Sequence, residues 1–405
     1  MVTETNDNKT PWAQYDAHTM QPHELAAALA ALESCYRRRR RAVLDTPQTP
    51  RLVVDGQSYL AFSSNDYLGL ANHPALINAV ADALPRWGLG GGASHLVAGH
   101  FAVHEEAERA LAEHVGCEAA LLFGSGYAAN LGVITSLVGR GDAVFADRLN
   151  HASLNDACQL SRATFRRFRH NDVAQLEALL QGTPARTRLI AVDAVYSMDG
   201  DEAPLAELLR LAERYDAWLY LDDAHGFGLT GQGRGALVEY ALHHPRVVYM
   251  ATLGKAAGVA GAFVAGGETL IEWLVNTART YIYTTAQPPA LAAGVLASLQ
   301  RMRDEPWRRE HLAALVARLR AGLSEQGWSL LPSRSPIQPV LLGESERALA
   351  VSAALRQRGV WVPAIRPPTV PEGGARLRLS LSAAHGMDDV EQLLQAMALC
   401  AGEGA

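Results

Sequence analysis

Lysine is nearly missing from this sequence. Of its 36 basic residues two are lysine, Lys9 and Lys255, and the remaining 34 are arginine. Lys9 falls in a polar opening stretch of about 20 residues that reads as a tail, so Lys255 is the one lysine expected in the folded body. Long apolar runs are missing too. No stretch of about 18 uncharged apolar residues occurs, which excludes a helical membrane span. The start, MVTETNDNKTPWAQ, has no apolar signal-peptide core, so the expected location is the cytoplasm. Cysteine is scarce: Cys35, Cys117, Cys158 and Cys400 form no C-x-x-C pair, which suggests neither zinc nor a disulfide framework. A basic excess is absent as well, and the net charge of −6 argues against nucleic acid as a partner. What is present is 49% hydrophobic residues and 35 glycines, enough for a large core.

The scarcity of lysine gives Lys255 meaning. Where only positive charge is needed, this chain uses arginine. A guanidinium keeps its proton near neutral pH and cannot form a Schiff base with an aldehyde. A lysine retained in that background is a candidate for amine chemistry.

Periodicity gives the organisation. Residues 23–36 read as an amphipathic helix that runs into five arginines, 37–41, whose plain reading is a solvated helix end. Residues 51–62 read as a hairpin turning at Asp55-Gly56. Strands are expected at 118–123, 142–147, 163–169, 188–197, 218–224, 247–255 and 261–266. Helices are expected between them at 102–115, 127–139, 151–161 and 203–217. Apolar strands alternating with helices imply an α/β fold, a mostly parallel sheet covered on both faces. One long helical stretch over 287–327 follows, opened by Pro288-Pro289. Shorter alternating strands at 337–343, 361–366 and 375–382, with helices 345–359 and 386–400, read as a smaller α+β domain. The expected division is a tail, helix and hairpin at 1–60, a large domain at 61–290 and a small domain at 291–405.

In open α/β sheets ligands gather at the carboxyl ends of strands. Strand 118–123 runs into Gly124-Ser125-Gly126-Tyr127 and a helix, a place where backbone N–H groups can meet a phosphate. Strand 142–147 ends near His151, and strand 188–197 ends at Ser197. Strand 218–224 ends with Asp222, Asp223 and His225, and strand 247–255 with Thr252 and Lys255. Pyridoxal 5'-phosphate (PLP) calls for this inventory. Its aldehyde needs an amine, its pyridine nitrogen a buried carboxylate, its phosphate N–H and hydroxyl donors, its ring a flat partner and its phenolic oxygen a donor. Lys255, Asp222, the 124–127 turn with Thr252, His151 and His225 can fill these roles in that order. A metal at Asp-Asp-Ala-His (222–225) is the rival reading, but no third ligand at fixed spacing supports it. His151 read alone is an ordinary packed histidine.

ATLGKAAG around Lys255, VDAVYSMDGD (192–201) and LYLDDAHGFGLTG (219–231) resemble the α-oxoamine synthases, PLP enzymes of the aspartate-aminotransferase fold (fold type I). SSNDYLGL (63–70), FGSGYAAN (123–130) and NHASLNDA (150–157) fit the same group, so the likeness spans about residues 25–400. SRSPIQPVLLG (333–343) and AIRPPTVPEGGARLRLSLSAAH (364–385) are most similar to the branch that condenses L-alanine with a pimeloyl thioester, on CoA or an acyl-carrier protein, in biotin biosynthesis. The alternative is a sister synthase using glycine with acetyl-CoA or another acyl-CoA.

The resemblance implies the following roles. Lys255 bonds to the cofactor and moves protons at the substrate α-carbon. Asp222 pairs with the pyridinium, His225 bonds the phenolic oxygen and His151 stacks on the ring and meets substrate. Gly126, Tyr127, Ser197 and Thr252 hold the cofactor, while Thr284 and Thr285 reach the phosphate in the neighbouring subunit of a homodimer. Arg366 binds the amino-acid carboxylate with Thr369 nearby. Asn65 and an arginine of the 37–41 run, Arg37 in the best register, meet substrate. Two positions depart from the group: Ala256-Ala257-Gly258 follows the lysine where bulkier side chains are frequent, and His100 stands where the group varies.

Overall fold

The structure, a computed structural model, describes residues 21–402. The polar opening stretch and Lys9 lie outside the described residues. The strands in chain order are β1 (Arg51–Val54), β2 (Gln57–Ala61), β3 (Ala119–Phe123), β4 (Ala143–Asp147), β5 (Thr164–Phe168), β6 (Arg188–Asp193) and β7 (Ala217–Asp222). They continue with β8 (Val247–Thr252), β9 (Ala262–Gly266), β10 (Ile337–Gly343), β11 (Val360–Trp361), β12 (Ala364–Ile365) and β13 (Ala375–Ser380).

Seven strands form the large sheet in the order β3-β9-β8-β7-β6-β4-β5. β9 runs antiparallel to both of its neighbours, and all other pairs are parallel. The period of two along each strand explains why both faces are apolar. In β7, Leu219 and Leu221 join one core cluster with Phe145, Ile190 and Phe263, while Tyr220 joins the other with Val144, Leu189 and Val248. Each fully buried leucine contributes about 1.5–3 kcal/mol relative to exposure. The helix Leu205–Arg214 packs on the sheet through Leu205, Leu208 and Leu211, the i, i+3, i+6 stripe of an amphipathic helix.

Two smaller sheets complete the fold. β1 and β2 form the expected hairpin, with Asp55 and Gly56 both at positive φ (51° and 75°), the geometry of a tight hairpin turn. β2 then pairs in parallel with β11, which ties the hairpin to the C-terminal part of the chain. β10, β13 and β12 make the third sheet.

Four expectations are corrected, the first being the strand expected over 247–255, which ends at Thr252 and leaves Lys255 in the loop after it. The strand expected over 188–197 stops at Asp193, because Val195 and Glu202 bridge across a turn that closes with Gly200 N–H on Tyr196 O. The helix expected over 287–327 is two, Pro289–Asp304 and Trp307–Glu325, separated at Glu305-Pro306, where proline has no N–H to continue the first. The strand expected over 361–366 is the two short pieces β11 and β12, on either side of Pro363. Helices Pro74–Trp87, Val173–Gly182 and Glu268–Thr277 went unassigned in the sequence. No helix among the described residues is long and apolar enough to cross a membrane.

Candidate active site

β6, β7 and β8 lie side by side in the middle of the sheet, and their carboxyl ends set the site. Register pairs Asp193 with Asp222, and Lys255 follows three residues after the end of β8. The Lys255 amine sits 2.9 Å from His225 Nε2. The other ring nitrogen of His225 lies 2.7 Å from the Tyr67 hydroxyl. Burial, then the Lys255 and Arg378 charges, hold His225 well below its ordinary pKa, so its ring is neutral. Burial also pulls the Lys255 amine down to about 8, against the opposing pull of Asp222 and Asp193. An amine with that value releases its proton near neutral pH, which a surface lysine does not.

Asp222 is fixed by two donors. Asn130 Nδ2 reaches Oδ2 at 2.8 Å, and the Ala224 N–H reaches Oδ1 at 3.0 Å. Asn130 is itself held, since the Tyr220 hydroxyl donates to its Oδ1 at 2.7 Å and its amide also donates to Ser153 Oγ at 2.8 Å. Asp193 accepts the His151 N–H at 2.7 Å; burial and the adjacent Asp222 raise it well above the usual carboxylate range. His151 caps the helix Ala152–Leu160, its ring nitrogen 2.7 Å from Ser153 Oγ, and it remains exposed. Its ring is nonetheless partly desolvated by its neighbours, which lowers its pKa.

Beside these groups the helix Gly126–Leu137 begins. Ser125 caps it by accepting the Ala128 N–H at 3.1 Å, leaving the first N–H groups of the helix free for an anion. A Cβ placed on Gly126 would lie 4.0 Å from Thr252 Cβ, so the helix start and the end of β8 are neighbours. Thr252 Oγ1 donates to Gly261 O at 3.0 Å. Tyr127 is exposed and donates to Asp156.

A family model described as aminotransferase class I and II matches residues 57–397. The chain belongs to this family. The class I and II aminotransferase assignment agrees with curated relatives. The 8-amino-7-oxononanoate synthase of Chromobacterium violaceum is 61% identical over 93% of this chain and 98% of its own length. That of Herminiimonas arsenicoxydans is 58% identical over 92% of this chain and 98% of its own. Among solved structures, Sphingomonas wittichii serine palmitoyltransferase superposes with a TM-score of 0.90 at 32% identity, covering 97% of this chain and 98% of its own. An 8-amino-7-oxononanoate synthase from Francisella tularensis gives a TM-score of 0.74 at 27% identity, covering 85% of this chain and 97% of its own. The architecture is the fold-type I arrangement, a large mostly parallel sheet with helices and a smaller α+β part.

This aminotransferase-family site fits PLP on its own geometry. A desolvated amine and a carboxylate held by N–H donors stand at the ends of the paired strands β8 and β7, and an open helix N-terminus lies beside Thr252 at the end of β8. The structure places Lys255, Asp222, His225, His151, Thr252 and Gly126 near one another.

The remaining candidates fall into other groups. Ser197 gives its carbonyl to Arg378 Nε at 2.6 Å, and Asn65 Oδ1 accepts from both terminal nitrogens of Arg378 at 3.2 Å. Arg366 donates to Tyr36 O, Arg39 donates to Thr369 Oγ1 at 2.8 Å and Arg37 pairs with Glu372. The arginine run thus closes over the segment that carries Arg366. Thr284 and Thr285 are exposed, and Thr285 bridges to Ser94.

Sequence reasoning missed Asn130, Tyr67, Asp193 and Arg378. All four stand inside quoted motifs, so a signal existed. Arg378 was hidden by alternation: in ARLRLSLS the arginines look solvent-facing, yet Arg376 and Arg378 are each 5% exposed. Arg376 turns inward to Asp199 Oδ1 at 2.8 Å.

Proposed function

We propose that this chain catalyses the decarboxylative condensation of L-alanine with a pimeloyl thioester, on CoA or acyl-carrier protein. The products are 8-amino-7-oxononanoate, CO2 and the free thiol carrier, and the step belongs to biotin biosynthesis. The carrying observation is the 61% identity to a relative of that name across 93% of this chain. When bound, PLP supplies an electron sink for the bonds at the amino-acid α-carbon.

The chain's residues do the rest. Lys255, the only lysine among the described residues, would bond the cofactor and then take and return the proton at alanine Cα; a pKa of about 8 lets one group do both. Asp222 keeps the ring nitrogen protonated, held by Asn130 and Ala224 N–H against rotation. His225, backed by Tyr67, donates to the phenolic oxygen, and exposed His151 covers the ring. The N–H groups of Gly126 and Tyr127, with Ser197 and Thr252, hold the cofactor.

Arg366 takes the alanine carboxylate. Its present partner, Tyr36 O, is neutral, and a carboxylate forms the stronger charge-assisted bond. Arg378 is committed elsewhere, its donors shared among Ser197 O, Asn65 Oδ1 and Ser380 Oγ. It fixes Asn65 at the substrate side. Thr369 adjoins Arg366, and Arg37 reads the pimeloyl carboxylate.

The working form is a cytoplasmic homodimer in which Thr284 and Thr285 serve the partner's phosphate. Leu96 (51% exposed), Val97 (79%) and Tyr283 (69%) lie on two segments joined by the Ser94–Thr285 bridge, an apolar surface suited to a second copy.

The test is a product assay with PLP-loaded protein. L-alanine with pimeloyl-CoA should yield 8-amino-7-oxononanoate. Glycine in place of alanine should be slower by the factor that about 1–3 kcal/mol allows, since one methyl group gives no more. Faster turnover of glycine with acetyl-CoA would assign the chain to a sister synthase instead.

A further inference from the structure

Three histidines and two glutamates, none of them among the Lys255 site residues, meet where the segment His95–Gly99 runs into the helix Ala102–Val115. Glu105 and Glu108 are three residues apart and share one helix face. His100 Nε2 faces both, 3.2 Å from Glu105 Oε2 and 4.0 Å from Glu108 Oε2. The other nitrogen of His100 lies 2.9 Å from His95 Nδ1, so the imidazole is oriented from behind. His104 closes one wall, but its nitrogens are engaged with Phe101 N–H and Gln287 O.

We propose that His100 Nε2, Glu105 and Glu108 bind one divalent transition-metal ion of the zinc class, with His95 orienting His100. Glu108 carries the argument furthest. It is 8% exposed, and its Oε1 accepts the Leu122 N–H at 2.8 Å. Among the described residues its Oε2 has no hydrogen-bond partner, and it faces His100 Nε2 at 4.0 Å. No arginine or lysine among the described residues pairs with Glu105 or Glu108. Two carboxylates on one helix face, one of them buried, are costly without a cation. His95 Nδ1 stands where it can accept a hydrogen bond from His100 Nδ1–H, which leaves His100 Nε2 with its lone pair facing the carboxylates.

The spacing suits the ion. Zinc bonds of about 2.0–2.2 Å at tetrahedral angles put ligand atoms about 3.4 Å apart, between the two distances found here. Two carboxylates and one neutral imidazole offset the charge of a divalent cation, and water completes the set. Such an ion would pin the glycine-rich segment 88–100 to the helix 102–115. That segment also meets residues 285–286, through Ala286 N–H on Ala93 O at 2.9 Å.

Zinc alone is the probe. PLP-loaded protein carrying Cys35→Ser, which removes the exposed thiol, is dialysed against Zn2+ and its metal content is measured. One equivalent per chain is expected, with a rise in Tm on zinc addition. His100→Phe and Glu108→Gln should each weaken binding at least about tenfold and abolish the Tm rise. Absence of zinc from the Cys35→Ser protein would overturn the site, as would zinc binding that His100→Phe leaves unchanged. His100→Phe decides the matter even if Glu108→Gln fails to fold, because His100 is partly exposed and its substitution spares the core.

Discussion

Asp222 and Asp223 are chain neighbours with opposite surroundings. Alternation sends Asp222 toward Lys255 and Asp223 through the sheet to Tyr249, whose hydroxyl donates to its Oδ2 at 2.7 Å. Asp223 Oδ2 also accepts the Ala236 N–H at 2.8 Å, while its Oδ1 has no partner. Burial raises Asp223 to about 7, so its neutral form is well populated at physiological pH. Asn is therefore a near substitute at 223 and a poor one at 222. Asp222→Asn should lower kcat at least about a hundredfold with the fold intact, because general acid–base and charge support of this kind contributes about 10²–10⁴. Asp223→Asn should keep most of the activity. Steady-state assays beside circular dichroism check both, and a larger loss in Asp223→Asn would move the ring-facing carboxylate by one position.

At the scale of elements, the strand ends that carry the proposed site have an ion-paired histidine near them. His170, just after β5, sits between Asp147 Oδ1 at 3.1 Å and Asp201 Oδ2 at 2.6 Å. Burial alone would lower its pKa, but the two carboxylates overcome burial and push it to about 10. The unfolded value is near 6.5, so the stabilisation is complete below that pH and is lost as pH rises through about 10. His170→Phe should cost about 3 kcal/mol at pH 6. Urea melts should show the gap from wild type closing above pH 10, and a gap independent of pH would assign the loss to packing.

The sequence foretold most of these elements because their apolar periods are strong. It blurred the places where geometry is local. Asp193 ends β6 because the chain turns there, and Pro306 divides two helices that share one apolar pattern. Lys255 and Asp222 were legible from their rarity and their place at strand ends. Tyr67 and Arg378 stood in motifs whose roles were not legible, because a tyrosine in a loop gives no sign of its partner His225 and an arginine in an alternating strand ordinarily faces water. The cluster at His95, His100, Glu105 and Glu108 joins a turn to a helix, and no fixed ligand spacing announces it.

For the whole molecule, the sheet order places β6, β7 and β8 centrally, so one crevice receives residues from four strand ends and one helix start. A single chain leaves Thr284 and Thr285 exposed beside apolar Leu96 and Val97. In the homodimer proposed above, each site takes Lys255 from one subunit and the threonines from the other. Mixing inactive Lys255→Ala with inactive Thr284→Ala/Thr285→Ala under subunit exchange should restore part of the activity, because one site of each heterodimer is intact. No recovery after verified exchange would place both contributions in one subunit.

The account rests on Lys255 as the covalent anchor of the cofactor, and the near absence of lysine makes its test unusually clean. Borohydride reduction of the PLP-loaded protein, followed by proteolysis and mass spectrometry, leaves two lysines on which a pyridoxyl group can be found. The account predicts the label on Lys255 and none on Lys9. A label confined to Lys9, or no label at all on a protein that turns over substrate, would contradict it.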